Sequence, residues 1–137
     1  WGSWLVNSFT HCGREVTRDK DGSVRISQEK YVRNLTGVKS RHRGLRIPLT
    51  EEEMADGRSV LGTLGWAGKQ SRPDLTFAVS TGLSELSQRR RSALRTINAG
   101  VKRAQMHNTN LLFPADLDIS RSMVLAFSDA SFANRED

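Results

Sequence analysis

Asp129 follows an apolar run and is the residue of this sequence best placed for catalytic chemistry. The run Met123–Phe127 is typical of a buried central strand. A carboxylate at the end of such a strand can ligate a metal ion or simply cap the strand. A catalytic magnesium pair needs several oxygen ligands, and the nearby Asp116 and Asp118 fall in a predicted turn. The residues alone therefore leave both interpretations of Asp129 open.

No other set of residues indicates catalysis. The stretch GTLGWAG lacks the Lys-Ser/Thr that would follow in a phosphate-binding loop. The lone Cys12 excludes an internal disulfide and a cysteine-based zinc site, and it fits an intracellular protein, cytoplasmic or nuclear. Three isolated histidines lie in loops or at the ends of elements, which favours ordinary surface positions: His11, His42 and His107.

The charge of the chain points to a polyanionic partner. The 137 residues carry a net charge of +6 and a pI of about 10.2. Such a balance is typical of nucleic-acid binding, although a solvated basic surface would look the same. No apolar run approaches the roughly 18 residues of a membrane span, so none is expected.

The clearer of two basic patches lies on a predicted helix, SALRTINAGVKRAQM. Its apolar residues recur at heptad-like spacing, while basic residues occupy other positions, and no acid occurs between Glu85 and Asp116. This face either binds nucleic acid or is the solvated side of a helix packed on a core. The apolar set is Leu94, Ile97, Val101 and Ala104, and the candidate binding residues are Arg95, Lys102 and Arg103, with Arg89, Arg90 and Arg91 at the flank.

Before this helix, the sequence predicts a β-hairpin and two further helices. Residues 8–28 form the hairpin, with a turn at Asp21-Gly22, and a short helix follows with Ser27 as its N-cap. Thr50 and Glu53 fit a capping box ahead of a helix from about residue 58 to 70. A third helix begins near Pro73. Tyr31, Leu35 and Val38 are expected on one face of the helix after the hairpin. The expected buried stripe of the third helix is Leu75, Ala78, Val79, Leu83 and Leu86.

Three glycines, Gly62, Gly65 and Gly68, interrupt the helix over 58–70. Each costs about 1 kcal/mol relative to alanine in a helix interior. They lie near one another on the helix surface, so they indicate either close approach of another group to the backbone or a poor, frayed helix.

The composition changes near residue 110, where predicted helices give way to strands such as the one in LLFPADLD. We place a domain boundary there. The predicted division is 1–38, a hairpin and helix; 39–109, a mainly helical region; and 110–137, the start of a further domain.

Four stretches of the sequence resemble, in the same order, the polymerase polyprotein of copia-type (Pseudoviridae) retrotransposons, from the end of the reverse transcriptase palm into ribonuclease H. The resemblance implies an α+β fragment: a hairpin at the palm end, a mainly helical thumb and connection region, and the first strands of a ribonuclease H-like domain. The four stretches are THCGREV with DGSVRISQEKYVRNL, GRSVLGTLGWAGKQSRPDLTFAVS, NAGVKRAQ, and FSDASFAN. The second of these is the most diagnostic.

The resemblance also assigns roles to residues. The hairpin over 11–32 would be the primer grip, and the helix over 58–70 would be the thumb helix in the minor groove of the template–primer. Arg58, Gly62 and Trp66 would face the duplex, and their spacing of i, i+4 and i+8 does place them on one helical face. Trp66 would pack on a sugar or serve as a core tryptophan. Asp129 would be the first of the carboxylates that hold two magnesium ions in ribonuclease H.

The sequence departs from the family at both active sites. The paired aspartates of the polymerase and the later ribonuclease H carboxylates are absent, and Glu136 and Asp137 stand too close to Asp129 to replace them. Because the chain opens with Trp1 rather than Met, we expect an internal piece of a longer protein. Magnesium would belong to the intact parent enzyme, and no cofactor is expected for this chain alone.

The main hypothesis is thus a noncatalytic segment of a reverse transcriptase/ribonuclease H polyprotein that grips template–primer. Its partners would be an RNA–DNA hybrid or DNA duplex, and the missing palm and ribonuclease H portions. The alternative is an element-derived, noncatalytic subunit packed with other proteins in a larger assembly. A freestanding DNA-binding module has less support, because no helix-turn-helix, zinc or RNP-type signature is present.

Overall fold

The computed structural model describes residues 7–41, 44, 47–107 and 109–123. It is an α+β structure, which confirms the predicted class. A four-stranded antiparallel sheet accompanies several helices, and two short 3-10 turns lie at Pro73–Leu75 and Ile119–Arg121. In chain order the elements are β1 (Ser8–His11), β2 (Arg14–Arg18), β3 (Val24–Ser27), α1 (Glu29–Arg33), α2 (Glu51–Gln70), α3 (Thr76–Ser87), α4 (Ser92–Met106) and β4 (Leu111–Phe113).

Two tight turns set the register of the first three strands. Cys12 and Gly13 join β1 to β2 with φ of 49° and 72°, as a two-residue turn of the kind that suits antiparallel strands. Gly22, with φ of 92°, closes the turn between β2 and β3. Asp21 accepts hydrogen bonds there from the backbone N–H and hydroxyl of Ser23, both at 3.0 Å. The predicted hairpin is confirmed, and β1 is an additional strand.

The chain returns to this sheet after the helices. β4 pairs with β3, and Leu111 stands opposite Ile26 while Phe113 stands opposite Val24. The strand predicted in LLFPADLD is therefore confirmed, and it follows directly on the boundary proposed near residue 110. The division into three parts stays a prediction. The strand predicted over Met123–Phe127 runs beyond the described residues, and Asp129 lies wholly outside them.

The predicted capping box starts α2. The backbone N–H of Glu53 donates to Thr50 Oγ1 at 3.2 Å, and the N–H of Thr50 donates to Glu53 Oε2 at 3.0 Å. The helix therefore begins at Glu51, ahead of the predicted start near Arg58, and it continues unbroken through its glycines to Gln70.

Helices α2, α3 and α4 pack on one another and bury two apolar clusters. All four residues predicted for the buried side of α4 are buried. Leu75, in the 3-10 turn before α3, and Leu86 are buried as predicted. Ala78 and Val79 are half-buried. The prediction for Leu83 is wrong, because this residue is 48% exposed. Gly82 forms the contact instead. A Cβ at Gly82 would lie 2.9 Å from Leu61 Cδ2, so its lack of a side chain lets α2 and α3 approach closely.

The helix after the hairpin is shorter than the sequence suggests. α1 ends at Arg33, so Leu35 and Val38 lie beyond it, and the prediction of a shared helical face is wrong. Tyr31 is exposed. Ser27 is not the N-cap, although its hydroxyl accepts from the N–H of Glu29 at 3.1 Å. Val38 is buried beyond the helix, where its N–H donates to Asn98 Oδ1 at 2.8 Å and its carbonyl accepts from Asn98 Nδ2 at 3.0 Å.

A buried ion pair joins the start of α4 to the first turn of α2. Arg91, grouped above with the exposed basic residues, is only 6% exposed. Its guanidinium donates to Glu53 Oε1 at 2.9 Å and to Glu53 Oε2 at 3.1 Å. It also donates to the carbonyls of Ile47 at 2.9 Å and Pro48 at 3.1 Å, and thereby holds the segment before α2 against both helices.

These contacts control the ionisation of Glu53. Burial raises the pKa of a carboxyl, because it disfavours the charged form. Hydrogen bonds from the Arg91 side chain and from the N–H groups of Arg41 and Thr50 outweigh burial. They lower the pKa of Glu53 from 4.5 to about 2.

We predict that the stability of the chain decreases in acid because of this group. The pKa of Glu53 is depressed in the folded state, so its contribution is complete above the unfolded pKa, near 4.5, and is lost as the pH falls to about 2. The total effect is about 3 kcal/mol. Urea unfolding measured between pH 7 and pH 2.5 tests this.

The variant Glu53→Gln should lose about 3–5 kcal/mol at pH 7, because Arg91 keeps an uncompensated buried charge. Its stability should also vary less with pH below 5. Glu52→Gln is the matched control, since Glu52 is 69% exposed where it pairs with Arg41, and it should change stability by about 0.5 kcal/mol or less. An unchanged acid profile in Glu53→Gln would contradict the assignment.

Candidate nucleic-acid interface

The predicted duplex-facing residues share the outward side of α2. Arg58, Gly62 and Trp66 are all exposed, and Trp66 is 41% exposed. Trp66 is therefore not a core tryptophan. Arg58 has no acidic partner among the residues that the structure describes. The helix thus presents one cation, one bare stretch of backbone and one large aromatic ring on a single surface.

The three glycines of the predicted patch do not lie together. A Cβ built at Gly62 meets no atom within 4 Å, whereas one at Gly65 would lie 3.5 Å from Val79 Cγ1. Gly68 is buried, and its Cβ would lie 3.2 Å from Thr76 Cγ2. Packing against α3 therefore accounts for Gly68, while no contact within the described chain accounts for Gly62.

Two hydrogen bonds attach the sheet to the end of α2, next to this surface. Arg14 Nη1 donates to Gln70 Oε1 at 3.1 Å, and the Ser71 hydroxyl donates to Gln28 Oε1 at 2.8 Å. Gln70 follows Trp66 by one helical turn. The hairpin region therefore lies next to the C-terminal end of the exposed side of α2. The predicted primer-grip and thumb roles of these elements stay predictions.

One face of the sheet carries an apolar row that sequence reasoning missed. Phe9, Val16, Ile26 and Leu111 are successive cross-strand partners, so their side chains lie side by side. Phe9 is exposed and the other three are only half-buried. The alternation of Val24 and Ile26 with polar residues was the available signal.

The basic residues predicted on α4 are exposed, but they are not equivalent. Arg95 and Lys102 have no acidic partner among the described residues. Arg103 Nε lies 3.4 Å from Asp74 Oδ2, so part of its charge is compensated. They share a helix whose other side is buried against α2 and α3, and the structure does not bring them into contact with Arg58 or Trp66.

The arginine of the RPD sequence, Arg72, has a structural role that sequence reasoning did not anticipate. It is buried, and it donates to Asp74 Oδ1 at 2.9 Å, to Asp74 Oδ2 at 3.0 Å and to the carbonyl of Ala104 at 3.0 Å. Hydrogen bonds from Arg72 hold the pKa of Asp74 below its ordinary value. The pair ties the turn before α3 to the end of α4.

The described residues contain no cluster of potential metal ligands. No group of three or more His, Cys, Asp or Glu side chains within residues 7–123, outside the gaps given above, could hold a metal ion. Cys12 is exposed and free, beside His11. No described helix combines the length and apolar character needed to cross a membrane.

The chain matches no protein-family model, no curated protein and no solved structure.

We predict that Gly62→Ala stabilises the fold by about 1 kcal/mol, because alanine favours the helix and its methyl group meets no other atom. Gly82→Ala is the matched control in another helix interior. It gains the same propensity but forces a methyl group against Leu61, and overpacking of this kind costs about 1–3 kcal/mol. Thermal unfolding of both variants checks the opposite signs. A destabilised Gly62→Ala would show that the outward side of α2 is packed by part of this chain.

Proposed function

We propose that this chain binds the template–primer duplex of an RNA-directed DNA polymerase of copia type, as a noncatalytic part of that enzyme. The observation that carries the proposal is the exposed Gly62 between Arg58 and Trp66 on α2. A glycine in the middle of an exposed helical face weakens the helix. A glycine at such a position is explained if another molecule must come close to the helix backbone.

The chemistry of this face suits a nucleic-acid duplex. Arg58 can pair with a phosphate, Gly62 allows the helix backbone to approach, and Trp66 can pack on a sugar. The minor groove of an A-form-like hybrid is wide and shallow and displays sugar edges, so it can accept a helix face of this kind. The net charge of +6 supports attraction to the phosphate backbone.

The basic residues of α4 extend the proposal. Arg95 and Lys102 are available for phosphate contacts, and Arg103 contributes less because Asp74 compensates part of its charge. Asp129 stays the proposed first carboxylate of a ribonuclease H site in the parent enzyme, where magnesium would be the cofactor. No step is assigned to it here, since it lies outside the described residues.

The proposal predicts salt-dependent binding of the 137-residue chain to a labelled RNA–DNA hybrid, measured by fluorescence anisotropy. Arg58→Ala should reduce the slope of log affinity against log salt by about 1, since one phosphate contact is lost. Trp66→Ala should weaken binding by roughly fivefold or more at every salt concentration, with an unchanged slope. Gly62→Ala should weaken binding although it stabilises the fold.

Phe113→Ala is the matched control for Trp66→Ala. Phe113 is an aromatic residue of β4 with 43% exposure, close to the 41% of Trp66, and it belongs to neither helix of the proposed surface. It should leave both affinity and salt slope unchanged. A folded chain that fails to bind the hybrid at about 50 mM salt, where phosphate contacts are strong, would overturn the proposal.

The second candidate, a noncatalytic subunit of a larger assembly, is favoured by the apolar row of the sheet. Phe9 is exposed in this row while Val16 and Ile26 are only half-buried, and exposed apolar surface of this kind commonly packs against a protein partner. Phe9→Ser should then release the chain from its native assembly, as followed by size-exclusion chromatography and mass spectrometry, while hybrid binding is unaffected. An unchanged native size would exclude this role for the face.

A further inference from the structure

A basic groove lies where the turn between α3 and α4 meets the segment before α2. Its volume is about 620 Å³, within the range of roughly 300–1,000 Å³ that is usual for small-molecule sites. Ile47 and Pro48 form an apolar wall, and the side chains of Arg89, Arg90 and Arg95 surround it. The groove contains none of Arg58, Gly62 and Trp66, and it shares only Arg95 with the duplex surface proposed above.

The charges around this groove are only partly compensated. Arg91 is neutralised by Glu53 at the base, and Arg89 forms an exposed ion pair with Glu51. Arg90 and Arg95 have no acidic partner among the described residues. The groove therefore keeps an excess of about two positive charges, which favours an anionic ligand.

Arg89 is held in a conformation that favours glycine. Its φ is +54°, and the only other described non-glycine residue with positive φ is Cys12. The conformation ends α3, because the N–H of Arg89 donates to the Leu86 carbonyl at 3.0 Å and the N–H of Arg90 donates to the Glu85 carbonyl at 2.9 Å. Glycine is the usual residue at such a helix end. An arginine there places a guanidinium at the groove at a conformational cost.

We propose that this groove is a binding site for a nucleoside phosphate, with Arg89, Arg90 and Arg95 as the phosphate-binding residues. Guanidinium groups match the oxygen geometry of a phosphate and bind it through charge-assisted hydrogen bonds. Ile47 and Pro48 offer an apolar surface to the sugar or base. The phosphate can come from a free nucleotide or from one residue of a nucleic-acid strand, since both present the same group.

Isothermal titration calorimetry with adenosine monophosphate at low salt tests the site directly. The double variant Arg90→Ala/Arg95→Ala should weaken binding by roughly tenfold or more, because two charge-assisted contacts are lost. Glu51→Gln should strengthen it, because Arg89 is released from its acidic partner. Arg121→Ala, which removes an exposed arginine outside the groove, is the matched control and should have no effect.

Arg89→Gly separates a binding role from a structural one. It should weaken binding severalfold while the midpoint of thermal unfolding stays the same or rises, because glycine relieves the strained backbone. A fall in both together would mean that Arg89 serves the fold alone. Binding of adenosine monophosphate that none of the groove variants changes, or no binding by the folded chain, would overturn the proposal.

Two further titrations identify the source of the phosphate. A free nucleotide as ligand predicts saturation by adenosine monophosphate and no competition by single-stranded RNA. A strand as ligand predicts that single-stranded RNA displaces adenosine monophosphate and that the groove variants lose both. Neither result depends on α2, so Trp66→Ala should leave both titrations unchanged even if duplex binding fails.

Discussion

Arg91 and Glu53 meet where three segments converge: the loop before α2, the first turn of α2 and the start of α4. Two charges removed from water require nearly complete hydrogen bonding. Glu53 accepts hydrogen bonds from Arg91 and from the N–H groups of Thr50 and Arg41. Arg91 also donates to the carbonyls of Ile47 and Pro48. The same set of hydrogen bonds therefore fixes the capping box of α2, the position of α4 and the course of the loop. If any one of these segments were displaced, a buried charge would lose its hydrogen-bond partners.

A second ion pair holds the opposite end of α4. Arg72 donates hydrogen bonds to both carboxylate oxygens of Asp74 and to the carbonyl of Ala104. These bonds fix the turn before α3 to the last turn of α4. With its start held through Arg91 and its end through Arg72, α4 has a defined position against α2 and α3. Since these contacts lie on the inner sides of the helices, the outer side of α2 has no part in them. Its residues are free to be set by requirements other than folding.

The sequence predicts the local elements well and the long-range polar contacts poorly. The turn at Gly22, the capping box at Thr50 and the apolar side of α4 each depend on residues close in the chain, and all are confirmed. The burial of Arg91 depends on Glu53, 38 residues away, and a run of three arginines gives no sign of which one is buried. Leu83 was misplaced for a related reason, because Gly82 lets α2 approach beside it.

The candidate surface was predictable only as far as helical spacing allows. The spacing of Arg58, Gly62 and Trp66 places them on one face, but burial of the opposite face is what makes that surface available. The roles of Arg95, Lys102 and Arg103 depend on tertiary neighbours, and only Arg103 has an acid nearby in the described part of the chain.

Gly62 and Arg89 each break a local rule without a packing gain in the described chain, although the exposed Arg89 side chain does pair with Glu51. Gly62 stands in a helix where alanine would be more favourable, and Arg89 stands at a helix end where glycine would be. Elsewhere the exceptions have internal causes: Gly82 admits Leu61, and the buried Arg91 has Glu53. Local and global preferences usually agree in a natural sequence, and departures concentrate at functional sites. Both Gly62 and Arg89 lie on the surface. Each is near an arginine that lacks an acidic partner in the described chain: Arg58 on α2, and Arg90 with Arg95 at the groove. Under the two proposals above, contacts outside the chain account for both departures: a nucleic-acid duplex at Gly62 and a nucleoside phosphate at Arg89.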